Sequence, residues 1–131
     1  MSAVSPRQTG DRGEELAVQF LAKNGYVIVD RKVALRRGEL DIVARQGGDL
    51  VFVEVKTRTN SACGTPAEAV TPEKARRLAL GAREYIYANL LTDEPVRCDV
   101  VSVLLPAEGK PQIEIIRDAL PLGDILQSPC P

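Results

Sequence analysis

Asp41, Glu54 and Lys56 are the residues of this chain best suited to do chemistry, because they fall on two apolar runs that fold back on each other at Gly47-Gly48. A Gly-Gly loop between β-rich segments predicts a hairpin with a type I′ turn, which needs φ > 0 at both central positions. With Gln46 opposite Asp49, Val43 faces Phe52, Asp41 faces Glu54 and Glu39 faces Lys56. The two carboxylates would then stand about 5 Å apart at Cβ, and like charges directly opposed in a sheet destabilise it. A divalent cation offsets that repulsion, since hard Mg²⁺ takes one or two carboxylates together with waters and substrate phosphate. Lys56 projects to the same side. Carboxylate, carboxylate and lysine around a metal suit phosphodiester hydrolysis. A second reading stays open on the residues alone: a solvated hairpin face with a Glu39–Lys56 pair worth roughly a few tenths of a kcal/mol. Leu50 and Phe52 on that same face point instead to a sheet covered on both sides, with charge confined to one end.

These residues need elements to position them. The other hairpin face, Leu40, Ile42 and Ala44 against Val51, Val53 and Val55, is wholly apolar and belongs on a core. Residues 11–24 read as a helix, with Asp11 and Glu14 as a capping box and Gly25 as its left-handed stop. Leu16, Ala17, Val18, Phe20 and Leu21 form its apolar arc. Glu14 falls inside that arc and Glu15 outside it. A carboxylate on the buried side needs a partner; this helix by itself favours the capping role for Glu14. Residues 26–30 read as a short strand leading into a basic segment, 31–37. After Arg58 a loop with Asn60, Gly64 and Pro66 could wall a substrate cleft.

A second helix starts with Thr71 as N-cap and Pro72 at its first position. Its stripe of Ala75, Leu78, Ala79, Ala82, Tyr85 and Ile86 packs on the sheet, leaving Arg76, Arg77 and Arg83 facing elsewhere. Residues 97–105 and 112–117 are apolar strands. A strand, helix, strand order over residues 50–105 implies a parallel crossover, hence an α/β fold with a mixed central sheet and helices on both faces. Residues 1–119 are expected to form one domain and residues 120–131 a tail.

Asp41 followed by a hairpin and Glu54-Val55-Lys56 resembles the D…(D/E)-x-K signature of the restriction-endonuclease-like nucleases, and Holliday-junction resolvases are similar in spacing. The wider run Gly13-Glu14-Glu15-Leu16-Ala17, Gly25-Tyr26, Gly38-Glu39-Leu40-Asp41, 51–58, Gly64, Pro66, Glu68-Ala69-Val70 and Lys74 resembles the bacterial YraN-like family, largely uncharacterised (family 0102). The resemblance implies an αβββαβ core and a Mg²⁺- or Mn²⁺-dependent DNA endonuclease, acting on branched or junction DNA by the resolvase similarity. Under that resemblance Asp41 and Glu54 hold the metal with the Val55 carbonyl, and Lys56 handles the attacking water. Glu14 then assists at the metal, reversing the preference drawn from its helix. Leu40 stands where many nucleases of the superfamily have proline.

Composition bounds the alternatives. At 131 residues, 44% hydrophobic and 27% charged, the chain suits one soluble domain burying about two-thirds of its unfolded surface. No apolar run approaches the roughly 18 residues of a membrane span, and the N-terminus lacks a signal-peptide core, so a cytoplasmic location is expected. Three cysteines without C-x-x-C spacing indicate neither a disulfide framework nor a thiolate zinc site. The absence of histidine excludes Ser-His and Cys-His dyads and imidazole metal sites, leaving carboxylates and lysine. No phosphate-cradling glycine motif points to a nucleotide cofactor. A net charge of −1 argues against coating nucleic acid by charge alone, yet basic clusters flank the proposed metal site. Arg36, Arg37, Arg58, Lys74 and Arg77 are therefore candidate phosphate contacts. DNA is the expected partner; RNA stays open, because phosphate and metal contacts do not read the sugar. Symmetric cutting would call for a homodimer. The competing class is a non-catalytic nucleic-acid-binding or adaptor module that keeps the fold.

Overall fold

The computed structural model describes residues 5–36, 38–59 and 71–120. Arg37, residues 60–70 with Cys63, and 121–131 with Cys130 lie outside the described residues, so the expectations placed on them stop there. The order is α1 (Pro6–Lys23), β1 (Val27–Leu35), β2 (Gly38–Gln46), β3 (Asp49–Arg58), α2 (Pro72–Ala88), β4 (Val96–Leu104) and β5 (Gln112–Leu120). All five strands form one sheet in sequence order, antiparallel except for the parallel β3–β4 pair. The expected mixed sheet and crossover are what the chain forms. α1 covers one face over β3 and β4, and α2 covers the other over β2 and β1.

Burial on both faces explains the nearly continuous apolar reading of the central strands. Ala17 and Leu21 of α1 pack with Ile42, Ala44, Val51, Val53, Val101 and Val103. Leu78, Ala79, Ala82, Tyr85 and Ile86 of α2 pack with Val43, Leu50, Phe52 and Cys98. Phe52 meets Tyr85 edge-to-face at 5.8 Å between ring centroids, a favoured aromatic geometry. Each fully buried Leu, Ile, Val or Phe contributes about 1.5–3 kcal/mol of transfer free energy, so these two layers hold the sheet between the helices.

Several local expectations are corrected. α1 begins at Pro6 with Ser5 as N-cap, and the capping box is Ser5 with Gln8. Asp11 and Glu14 thus lie inside the helix, and Glu14 has no cap to close. The pattern at 11–14 misled because Asp-x-x-Glu is also what an acidic helix interior looks like. Gly25 is left-handed as expected, with φ 87. In the hairpin only Gly47 has positive φ, at 59, so the turn is not type I′, although the register from Gln46–Asp49 to Ile42–Val53 is the one expected. β1 runs on past Asp30, where the short strand was expected to end, through the basic Arg31 and Lys32 to Leu35 by pairing with β2, and Arg31 and Lys32 meet Glu15 and Asp11 of α1 at 2.9 and 3.2 Å. β5 extends to a buried Leu120, taking the first residue assigned to the tail. Arg83, expected to face away, is buried beside the Tyr87 ring.

A polar hub ties the sheet together near the hairpin turn. Fully buried Asp99 accepts the Tyr26 hydroxyl at 2.6 Å, the Arg97 guanidinium at 3.0 Å and the Asp118 N–H at 2.9 Å. Arg97 also reaches Asp49 at 2.7 Å and donates to Gln46. Every lone pair that burial would penalise has a donor.

Gly13 sets how closely α1 approaches β3. A Cβ there would lie 1.9 Å from Thr57 Oγ1 and 2.7 Å from its Cγ2. Gly13→Ala should therefore lower stability by about 1–3 kcal/mol, the usual cost of overpacking. Thr57→Ala in the same background should recover part of the loss. Urea melts of the two single variants and the double variant measure this; a Gly13→Ala protein as stable as the wild type would refute the contact.

Candidate active site

The β2–β3 ladder stops at Ile42–Val53. One residue further, Asp41 Oδ2 accepts the Val55 N–H at 2.9 Å, so a side chain takes the place of a strand-to-strand bond. An Asp41 side chain engaged between the strands no longer counts toward either face, and alternation slips by one. Leu40 consequently packs with Val43 on the α2 side while Ile42 packs on the α1 side. This overturns the expected single face of Leu40, Ile42 and Ala44. Lys32 stands between the Arg31–Ile42 and Val33–Leu40 pairs, level with Asp41, and has φ 50. β1 bends where β2 does.

Glu54 follows Val53 on β3 and meets Asp41 directly. Burial raises the pKa of both carboxyls, and the Val55 N–H partly restrains that of Asp41. For Glu54, burial, then the charge of Asp41 and the hydrogen bond between them push the value up to about 7, opposed by Lys74 and Lys56. A hydrogen bond between two carboxyls needs a proton, so the pair keeps one well above the ordinary carboxyl range. Lys56 is not in a cross-strand ladder with Glu39; the strands have parted by then. Its ammonium is instead made more acidic than usual, chiefly by the charge of Lys74 and then by burial.

Glu14 reaches the same region from α1. It is 8% exposed, its Oε1 has no hydrogen-bond partner, and burial followed by the charge of Asp41 raises its pKa. The charges of Lys32 and Arg31 act in the opposite direction. Among the described residues no three Asp, Glu, His or Cys side chains converge closely enough to hold a metal as a set. Glu14 is thus an electrostatic neighbour of Asp41 and stands apart from the Asp41–Glu54 contact.

A cleft of about 130 Å³ opens beside Glu54, between the start of β2 and the first turns of α2, with Glu39, Lys74, Arg77 and Gly81 among its walls. Thr71 caps that helix through the Lys74 N–H at 3.2 Å. Of the candidate phosphate contacts, Lys74 and Arg77 line this cleft. Arg58 is half-buried, with Nη2 3.5 Å from Ser102 Oγ. Arg36 has an exposed side chain and its N–H donates to Glu84 at 3.2 Å. Sequence reasoning did not anticipate Glu39 as a cleft wall, Lys32 as the bend, or the apposition of Lys74 to Lys56. The last depends on how α2 lies across the strands, which spacing along the chain does not report.

Comparison with known proteins gives the family but no activity. The model of the family described as "Uncharacterised protein family UPF0102" matches residues 13–103. A "UPF0102 protein" of Geotalea uraniireducens is 44% identical over 117 residues, covering 89% of this chain and 92% of that relative. One of Pelobacter propionicus is 47% identical over 119 residues, covering 89% and 85%. A solved chain titled "The structure of Pyrococcus Furiosus SfsA in complex with Ca2+" aligns with a TM-score of 0.38 and 14% identity over 87% of this chain. This chain spans 64% of that one's length.

The carboxyl pair makes stability depend on pH in a definite direction. The folded state binds Glu54's proton more tightly than the unfolded chain, so metal-free protein should lose stability as pH rises from about 4.5 to about 7, with a slope of at most about 1.4 kcal/mol per pH unit. Glu54→Gln should flatten that slope and match or exceed the wild type at neutral pH. Urea melts in EDTA between pH 4 and 8 test it; an amide variant that is less stable at neutral pH would mean the charged carboxylate has a structural partner.

Proposed function

The chain belongs to the uncharacterised protein family UPF0102, and from that premise we propose that it is a Mg²⁺- or Mn²⁺-dependent endonuclease hydrolysing DNA phosphodiester bonds. The carrying observation is the Asp41–Glu54 pair, two desolvated carboxyls set together where Asp41 accepts the Val55 N–H, each with its pKa raised. Like groups forced together at the end of a sheet weaken it, which makes sense where a cation takes the proton's place. The donor set fits a hard ion that needs only one or two carboxylates. The buried, unpartnered Oε1 of Glu14 adds negative potential beside it.

Asp41 and Glu54 would hold the ion, with the Val55 carbonyl beside them and Glu14 assisting through a bridging water. Bound there, the ion would supply Lewis acidity toward a phosphodiester. Val55 N–H fixes the Asp41 carboxylate, so its free oxygen keeps one orientation. Lys56 Nζ, less basic than an ordinary lysine, orients the attacking water and takes part in its deprotonation. Arg36, Arg58, Lys74 and Arg77 approach the flanking phosphates, giving affinity without base readout. Branched or junction DNA cut by a homodimer is the finer form of this reading.

One observation favours the competing module without catalysis: the missing three-group cluster among the described residues. Calorimetric titration with Mn²⁺ separates the two. The nuclease reading expects binding by the wild type and its loss in Asp41→Asn. It also expects a Mg²⁺-dependent gain of about 2.7 kcal/mol in thermal melts at one hundred times the dissociation constant, absent from both Asp41→Asn and Glu54→Gln. Single-stranded, duplex and four-way DNA and RNA are then offered with metal; equal heats in both proteins and no cleavage of any substrate would leave the module.

A further inference from the structure

We infer that Lys32 is a tethered counter-cation of the carboxylate site: Asp11 holds its ammonium at the rim, where its charge weakens the hold of Asp41 and Glu54 on a divalent cation. The effect on metal affinity rests on the metal-dependent reading above; the placement of Lys32 against Glu14 does not.

Backbone geometry puts it there. Successive residues of a regular strand point to opposite faces, yet Arg31 and Lys32 both reach α1, at Glu15 and Asp11. The left-handed φ of 50 at Lys32 breaks the alternation and returns its side chain to the α1 face. The pairs on either side, Arg31–Ile42 and Val33–Leu40, keep Lys32 level with Asp41. A left-handed lysine costs more than an exposed ion pair returns, and both Lys32 and Asp11 are about half exposed. The pair with Asp11 alone does not account for the strain.

On α1, Glu14 follows Asp11 by three residues, the spacing of side-by-side helical neighbours. Lys32 thus stands between an exposed carboxylate that it bonds at 3.2 Å and a buried one whose Oε1 has no hydrogen-bond partner. Its charge reaches the buried one all the same. Burial and then the charge of Asp41 raise the pKa of Glu14, and the charge of Lys32 is the strongest influence opposing them. Burial raises that of Asp41, and there too Lys32 acts in the opposite direction. A cation that touches Asp11 while its field covers Glu14 and Asp41 supplies part of the positive charge these groups need and leaves their oxygens open. Bonded to Glu14 instead, the ammonium would fill the place of a bridging water. Asp11 keeps it out.

Calorimetric titration of the full chain with Mn²⁺ at low salt tests this. Lys32→Gln should bind about three- to tenfold tighter than wild type, the order expected for one unit charge acting on a divalent ion through partly aqueous surroundings. Lys32→Arg should match wild type. Lys32→Gly, which removes the charge while suiting the left-handed backbone, should show the same gain as Lys32→Gln, separating charge from strain. That gain should shrink as salt shortens the Debye length to roughly 3 Å at 1 M. Asp11→Asn should weaken binding, because the freed ammonium settles on Glu14, and should do so much less in the Lys32→Gln background. In EDTA, carbon NMR should show the Glu14 carboxyl titrating at higher pH in Lys32→Gln than in wild type, and at lower pH in Asp11→Asn. Wild-type affinity in both Lys32→Gln and Lys32→Gly, or weaker binding in both, overturns the counter-cation. If no form binds Mn²⁺, the metal-dependent reading fails and the Glu14 titration decides alone: unshifted in Lys32→Gln, it overturns this inference as well.

Discussion

The hydrogen bond from the Val55 N–H to the Asp41 carboxylate organises one end of this molecule. It ends the β2–β3 ladder and shifts the alternation of β2 by one residue, delivering Leu40 to the α2 core. By filling the space between two strands with a side chain, it also opens the strand ends where Glu54 and Lys56 emerge. A backbone partner at Asp41's place would have zipped the two strands further. The charged end of the sheet exists because one ladder rung was given to a carboxylate.

The two ends of the central strands make an instructive contrast. At the hairpin end, Asp99 is as buried as a carboxylate can be, and a hydroxyl, a guanidinium and a backbone N–H meet it. Toward the other end Asp41 has the Val55 N–H and Glu54 beside it, and Glu14 Oε1 has no hydrogen-bond partner. The same chain solves the problem of a buried acid fully in one place and leaves it open in another. That difference, more than the carboxylates themselves, singles out the second place as the candidate site.

Much of the architecture was legible because both sheet faces are buried. Long apolar runs at 50–55 and 97–105, a Thr-Pro helix start at 71 and the apolar stripe of α2 each report a local rule that the tertiary structure obeys. The register from Gln46–Asp49 to Ile42–Val53 followed from the glycines even though the turn type did not. What could not be read was wherever a side chain replaced a backbone partner. Pairwise counting carried the ladder past Ile42 to Asp41–Glu54 and Glu39–Lys56. Counting knows nothing of a carboxylate bonding to Val55. Likewise the Asp11–Glu14 spacing mimicked a cap while the real one lay at Ser5, six residues upstream, and Arg83 resembled a surface arginine because its burial depends on packing around α2. At the candidate site, spacing was enough to set Asp41 and Glu54 near each other, whereas the meeting of Lys74 with Lys56 required knowing how α2 lies across the strands.

The bend at Lys32 has a consequence of a different sort. A lysine at φ 50 sits in a left-handed conformation that asparagine or glycine would adopt more readily, and it does so in an edge strand. An edge strand that is kinked midway and flanked by charged Arg31 and Asp30 makes a poor template for another chain's strand. The irregularity that accommodates Asp41 on the inside of the sheet thus also protects its rim from accretion. A solubility device and the candidate site share one backbone distortion, and removing the distortion would alter both.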